Sequence, residues 1–116
     1  MERKMAGPFV LDRVSILDRL GGDEEIYSMM VDMFLDDVDA NSVALANAFA
    51  SGKALEVQRE AHTIKGLLAT FSDDDGAAEA QDVEKKAKAG ELDRLDDAVG
   101  NLQRRLHEVA NALRAG

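Results

Sequence analysis

Apolar residues recur every three or four positions along most of this chain, a spacing that places them on one side of an α-helix. Glycines follow the periodic segments at Gly21-Gly22, Gly52, Gly90 and Gly116, as residues that end helices do. The pattern predicts five helices. A short one covers about residues 11–20, the next two about 23–50 and 53–71, a fourth follows a turn at 72–76 and runs to Ala89, and the last covers about 91–113.

Each predicted helix has an apolar stripe that we expect to be buried. The stripe of the short first helix is Val14, Leu17 and Leu20, and that of the second helix is Ile26, Met30, Met33, Phe34, Val38, Leu45 and Phe49. In the last helix the apolar positions are Leu92, Leu95, Val99, Leu102, Leu106, Val109 and Leu113. A coiled coil has the same spacing, but here it lasts only about three heptads, so the seam of a helix bundle is favoured.

Short loops between long helices make sequential helices antiparallel neighbours. The sequence therefore predicts an all-α fold, an antiparallel up-down four-helix bundle with a short extra N-terminal helix. Residues 1–9 are expected to be a flexible segment, and residues 10–116 to form the helical domain. All apolar stripes can meet inside one bundle, which favours a monomer.

Composition narrows the function classes. The 116 residues are 46% hydrophobic and only 4% aromatic, which suits one helical domain, and the net charge of −9 argues against nucleic acid and anionic membranes as partners. Cysteine is absent and only His62 and His107 are histidines, so we expect no metal site and no cofactor. No apolar run approaches the roughly 18 residues of a membrane span, and the first residues lack the apolar core of a signal peptide, which favours a cytoplasmic location.

The candidate for chemistry is His62. At about 100° per residue, its side chain points about 150° away from the direction set by Val57, Ile64 and Leu68, and thus into solvent. The residues that share or border this face are Leu55, Gln58, Arg59, Lys65, Gly66 and Ala69.

Two neighbours give His62 a chemical context. Lys65 lies one turn away, where its ammonium group can reach an anion on the imidazole. Gly66 lies directly over His62 and leaves room for a partner's active site, although glycine inside a helix costs about 1 kcal/mol relative to alanine. A neutral imidazole is a nucleophile, so His62 is a candidate phosphate carrier; the alternative is an exposed histidine without a function. His107 lacks these neighbours, because Ala110 and Asn111 take their places, and we interpret it as ordinary surface.

These residues resemble the histidine-containing phosphotransfer (HPt) domain family. The segment from His62 to Gly66 matches the family's His-x-hydrophobic-Lys-Gly motif. Val83-Glu84 and the segment from Lys88 to Gly90 match positions in the next helix, and Leu20 to Glu25 and Phe34 to Asp37 match upstream ones. The resemblance covers about residues 10–114 and departs from the family pattern at Leu67-Leu68, Ser72 and Gly76.

The resemblance implies a phosphorelay intermediate that takes a phosphoryl group from the aspartate of one receiver domain and passes it to another. By this resemblance His62 carries the phosphoryl group on Nε2, Lys65 pairs with it, and Gly66 admits the receiver. Glu84 is implied to orient the imidazole, while a solvated ion pair with Lys88 is the alternative. The partner-binding residues are then Leu55, Gln58, Arg59, Gly66 and Ala69, and the partners are receiver domains and a hybrid histidine kinase.

Two other functions fit the same residues. The phosphoacceptor domain of a chemotaxis-type histidine kinase resembles this bundle, and a separate kinase domain with ATP phosphorylates it. In a non-catalytic helical adaptor His62 has no function, so the binding of a partner protein does not depend on that side chain. A di-iron carboxylate bundle requires paired Glu-x-x-His motifs, and His107 is preceded by Arg104 at the position where that motif has glutamate.

Overall fold

The computed structural model describes residues 7–116, which form five helices and no strand. The helices are α1 (Arg13–Arg19), α2 (Glu24–Ala50), α3 (Ala54–Thr70), α4 (Asp74–Lys88) and α5 (Asp96–Ala115). The predicted all-α class is thus confirmed. No helix in this part of the chain combines the length and the apolar character needed to cross a bilayer.

The helices pack through their apolar stripes. α3 packs most extensively on α4, α2 contacts both α3 and α5, α4 contacts α5, and α1 lies against α2. At the centre, the rings of Phe34 and Phe71 meet edge to face with centroids 5.2 Å apart. The largest fully buried side chains are Phe34, Phe71, Ile16, Leu45, Ile64, Leu68, Leu95, Leu102, Leu106, Val38, Val57 and Val83.

A buried ion pair fixes the connection between α3 and α4. Both oxygens of Asp73 accept hydrogen bonds from Arg105 of α5, at 2.8 Å and 2.6 Å, and Oδ1 also caps α4 by accepting from the Gly76 N–H. Gly76 is required there, because a Cβ atom at that position would lie 2.1 Å from Oδ2 of Asp73. The preceding Ser72 adopts φ +61°, a left-handed conformation that favours glycine, and its buried hydroxyl has no partner.

Three predicted core residues are exposed instead. Val14, Ile26 and Met33 have exposed fractions of 69%, 42% and 56%. In α2 the buried position is taken by Tyr27, whose ring lies beneath the guanidinium of Arg13 at 5.0 Å. The apolar stripe of this helix is wider than the surface that its neighbours cover, so periodicity alone assigned too many residues to the core.

α5 begins at Asp96, five residues later than its apolar spacing predicts. Arg94 adopts φ +70°, which interrupts the helix between Leu92 and Leu95. Leu95 is nevertheless buried and Leu92 packs against the core. The two leucines thus continue the apolar spacing of α5 without being part of the helix.

The N-terminal segment predicted to be flexible lies mostly outside the described residues. Of residues 1–9, the structure describes only 7–9. There the Gly7 carbonyl accepts a hydrogen bond from Arg105 at 2.5 Å, and the Phe9 N–H donates to Glu108 at 2.6 Å. The boundary of the domain at residue 10 stays a prediction.

Candidate functional site

His62 lies in the middle of α3, with its imidazole directed outward. The side chain is 67% exposed, in accord with the direction that the helical spacing predicts. Its neighbours Ala61 and Ile64, on the opposite side of the helix, are fully buried. The packed face of α3 therefore holds the backbone in place while the imidazole remains accessible.

Glu84 of α4 holds one nitrogen of this ring. Its Oε2 lies 2.9 Å from Nδ1 of His62, and its Oε1 accepts a hydrogen bond of 2.7 Å from Nζ of Lys65. The Lys65 hydrogen bond lowers the pKa of Glu84; burial opposes this effect, and the His62 hydrogen bond supports it. Glu84 is therefore a carboxylate bridging His62 and Lys65, rather than the partner of Lys88.

The bridge determines which nitrogen of His62 is reactive. A carboxylate only accepts hydrogen bonds, so the neutral ring places its single proton on Nδ1 and leaves a lone pair on Nε2. No described residue forms a hydrogen bond with Nε2. The exposed nitrogen is thus the nucleophilic one, which is the arrangement needed for attack on an electrophile brought by a partner.

Gly66 leaves the space beside the imidazole open. A Cβ atom at this position would meet no other atom within 4 Å, so packing inside the protein does not require glycine here. Glycine in a helix interior is nonetheless destabilising by about 1 kcal/mol. The open backbone is therefore available to a partner molecule.

The predicted binding residues lie along the same outward side of α3. We call this the His62 face; it consists of Leu55, Gln58, Arg59, His62, Gly66 and Ala69. Leu55 is 59% exposed, and Ala69 is half-buried at the other end. The Ala69 carbonyl accepts a hydrogen bond of 2.7 Å from Arg19, so α1 adjoins the His62 face at its C-terminal end.

The predicted residues His62, Lys65 and Glu84 are brought together at one place. The side chain of Lys65 is 29% exposed and uses one of its three N–H donors on Glu84, a contact that the sequence does not predict. The contribution of α1 through Arg19 was not predicted, because no local pattern signals a side chain that binds the main chain fifty residues away. Residues 7–116 contain no cluster of three or more His, Asp or Glu residues that is suited to hold a metal ion.

Comparison with known proteins agrees with this arrangement. The solved structure of histidine-containing phosphotransfer protein B (HptB) from Pseudomonas aeruginosa PAO1 is similar to this chain, with a TM-score of 0.81 and 23% identity over 90% of this chain and 91% of that chain. It shows the same fold. No curated protein matches the sequence. The sequence model of the Hpt domain matches residues 29–115, which is most of the chain and includes His62, Lys65 and Glu84, so the protein belongs to the Hpt domain family.

Proposed function

We propose that this protein is a phosphorelay intermediate of a two-component signalling system. In this proposal His62 accepts a phosphoryl group from the aspartate of one receiver domain and passes it to the aspartate of another. Membership of the Hpt family supports a role in histidine phosphotransfer. The single observation that carries the assignment to His62 is its exposed imidazole, whose Nδ1 is bound to Glu84 and whose Nε2 faces outward.

The proposed transfer needs no group beyond the two proteins and the receiver's own metal ion. The Nε2 lone pair attacks phosphorus, a P–N bond forms, and the bond between phosphorus and the aspartyl oxygen breaks. The electron pair of that bond returns to the receiver's carboxylate, while the Nδ1 proton stays on the ring, where Glu84 stabilises its partial charge. Transfer to a second receiver is the reverse of this step, and positioning and charge neutralisation supply most of the catalysis.

Lys65 and Gly66 have separate roles in this proposal. Lys65 has three N–H donors and uses one on Glu84, so others are available to a phosphoryl oxygen on His62. Its ammonium group then offsets negative charge on both the carboxylate and the phosphoryl group. Gly66 lets the receiver approach the ring closely, since no side chain covers the backbone there.

We propose that the receiver also contacts an apolar strip on α2, formed by Ile26, Met29 and Met33. These side chains are 42%, 61% and 56% exposed, and they lie on the helix that packs against both α1 and α3. Methionine adapts to differently shaped partners. Six acidic side chains and no Lys or Arg occur on α2, so the strip suits a receiver whose docking surface is apolar at its centre and basic at its rim.

The experiment is phosphorylation by a receiver. A phosphorylated receiver domain is expected to label this protein with an acid-labile, base-stable phosphate that is absent in His62→Gln and retained in the matched control His107→Gln. Labelling that persists in His62→Gln would count against the assignment. Labelling by a histidine kinase domain and ATP without any receiver would favour the chemotaxis-type alternative, and receiver binding without any labelling would favour an adaptor.

Several finer features belong to the same proposal. We propose that α2 to α5 form an antiparallel up-down four-helix bundle with α1 as an extra helix, which their short connections and packing pairs support. The domain is proposed to start at residue 10 and to act as a monomer, with receiver domains and a hybrid histidine kinase as its partners. A cytoplasmic location stays a prediction.

A further inference from the structure

The second histidine, His107, connects two helices that do not carry the His62 site. It lies on α5 with a side chain that is 46% exposed. Its Nδ1 is 2.9 Å from the main-chain oxygen of Gln103, and its Nε2 is 2.9 Å from Oδ1 of Asp39 on α2. Both ring nitrogens therefore have a partner, in contrast to those of His62.

Both partners of His107 are hydrogen-bond acceptors. A main-chain carbonyl and a carboxylate have no proton to donate, and a neutral imidazole has only one N–H group. Both contacts are hydrogen bonds only if the ring is an imidazolium ion. We infer that His107 keeps its second proton at neutral pH and acts as a pH-dependent latch between α5 and α2.

The surroundings of His107 favour this charged form. The hydrogen bond to the Gln103 carbonyl, followed by the one to Asp39, raises the pKa of His107, while burial and the positive charge of Arg114 oppose the rise. An open groove of about 540 Å³ runs beside the ring, whose side chain is 46% exposed, so its proton can exchange with solvent. The groove is lined by Ser42, Gly100, Gln103, Arg104, His107, Glu108 and Asn111.

Of the two hydrogen-bond partners that raise the pKa of His107, Gln103 lies on the same helix and Asp39 lies on α2, so the contact between the two helices depends on Asp39. Ser42, the α2 residue of the groove, binds the Gln103 side chain through its carbonyl and hydroxyl oxygens, and neither group titrates near neutrality. On α5, Arg104 and Glu108 line the same groove, and the Glu108 carboxylate accepts a hydrogen bond from the Phe9 N–H. Removal of the Asp39 charge alone is therefore the most specific test of the latch.

The sign of the effect follows from the raised pKa. A group that binds its proton more tightly in the folded state stabilises the fold fully below its unfolded pKa, about 6.5 for histidine. That stabilisation is lost as the pH rises through the folded pKa of His107. The latch thus strengthens the contact between α2 and α5 fully below the unfolded pKa, and this contribution is lost as the pH rises through the folded pKa of His107, while the apolar packing between the two helices remains.

The test uses the fact that the chain has only two histidines. In ¹⁵N-histidine NMR of the full chain, His107→Gln assigns the two rings. At pH 7 we expect both nitrogens of His107 to give signals of protonated nitrogen, with a titration midpoint above that of free histidine. Asp39→Asn is expected to lower this midpoint and leave the His62 signals in place. A neutral His107 ring at pH 7, or a midpoint that Asp39→Asn does not move, would overturn the inference.

A second measurement tests whether the proton holds the helices. The urea midpoint of the wild type is expected to exceed that of His107→Gln most at pH 6, with the difference shrinking toward pH 9. A difference that does not change with pH would mean that the proton does not contribute to the contact between α2 and α5, and that the latch does not exist. Neither outcome depends on whether His62 carries phosphate.

Discussion

Gly76→Ala tests the packing that holds the start of α4. Alanine normally stabilises a helix relative to glycine, by up to about 1 kcal/mol. Here the added methyl group would lie 2.1 Å from Oδ2 and 2.8 Å from Cγ of Asp73, and 3.0 Å from Cδ1 of Leu68. Asp73 must therefore move, although three hydrogen bonds hold it in place.

The magnitude follows from what Asp73 loses when it moves. Loss of an N-cap costs about 1 kcal/mol, and breaking a buried ion pair costs about 3–5 kcal/mol when one partner is removed completely. Asp73 and Arg105 are 2% and 6% exposed, so water replaces little of the lost interaction. With a partial loss of the ion pair and the intrinsic gain from alanine, we expect Gly76→Ala to destabilise the fold by about 2 kcal/mol.

Urea denaturation followed by circular dichroism measures this change, and the chain provides two matched controls. A Cβ atom at Gly66 meets nothing within 4 Å, and one at Gly100 meets only Nη1 of Arg104, at an ordinary 3.7 Å. Gly66→Ala and Gly100→Ala should each stabilise by about 0.4–1 kcal/mol. A Gly76→Ala protein as stable as these two would refute the role assigned to the Asp73 cap and its ion pair.

Substitutions at three further positions test the site and the turn before α4. Gly66→Arg should abolish phosphoryl uptake from a receiver while the circular dichroism spectrum stays helical and Gly66→Ala stays active; normal uptake by Gly66→Arg would mean that the receiver does not approach over this residue. Glu84→Gln should slow uptake roughly tenfold through weaker support of the imidazole. The hydrogen bond from Lys65 lowers the pKa of Glu84 in the folded protein. The stability that the carboxylate adds is therefore fully present above pH 4.5, the usual pKa of this group, and is lost as the pH falls through the lower folded pKa. The urea midpoints of wild type and Glu84→Gln should accordingly converge in acid. Ser72→Gly should stabilise the fold by about 1 kcal/mol, because it relieves a left-handed serine and removes an unpartnered hydroxyl; an unchanged urea midpoint would contradict this.

The sequence predicted most of the helix boundaries because they depend on local signals. α3 begins and ends within one residue of the predicted positions, and α4 ends one residue before Ala89 but begins at Asp74, inside the predicted turn at 72–76. Gly52 and Gly90 follow α2 and α4 in the left-handed conformation, which glycine adopts readily. The outward direction of His62 also follows from local spacing, since Val57, Ile64 and Leu68 fix the buried side of the same helix.

Contacts between different helices could not be predicted from local spacing. The pairing of Asp73 with Arg105 joins residues that are thirty-two positions apart, and no periodicity relates them. The exposure of Ile26 and Met33 depends on which neighbouring helices cover α2, a property of the assembled fold. The bridge from Glu84 to Lys65 likewise requires the relative placement of α3 and α4, so the sequence alone left the partner of Glu84 open.

The position of the phosphoryl group on the ring tests the central claim most directly. After labelling by a phosphorylated receiver, ³¹P and ¹⁵N-histidine NMR should place the phosphorus on Nε2 of His62, with Nδ1 still protonated beside Glu84. His107→Gln should give the same spectrum. Phosphorus on Nδ1 of His62, on His107, or on no histidine would contradict the account.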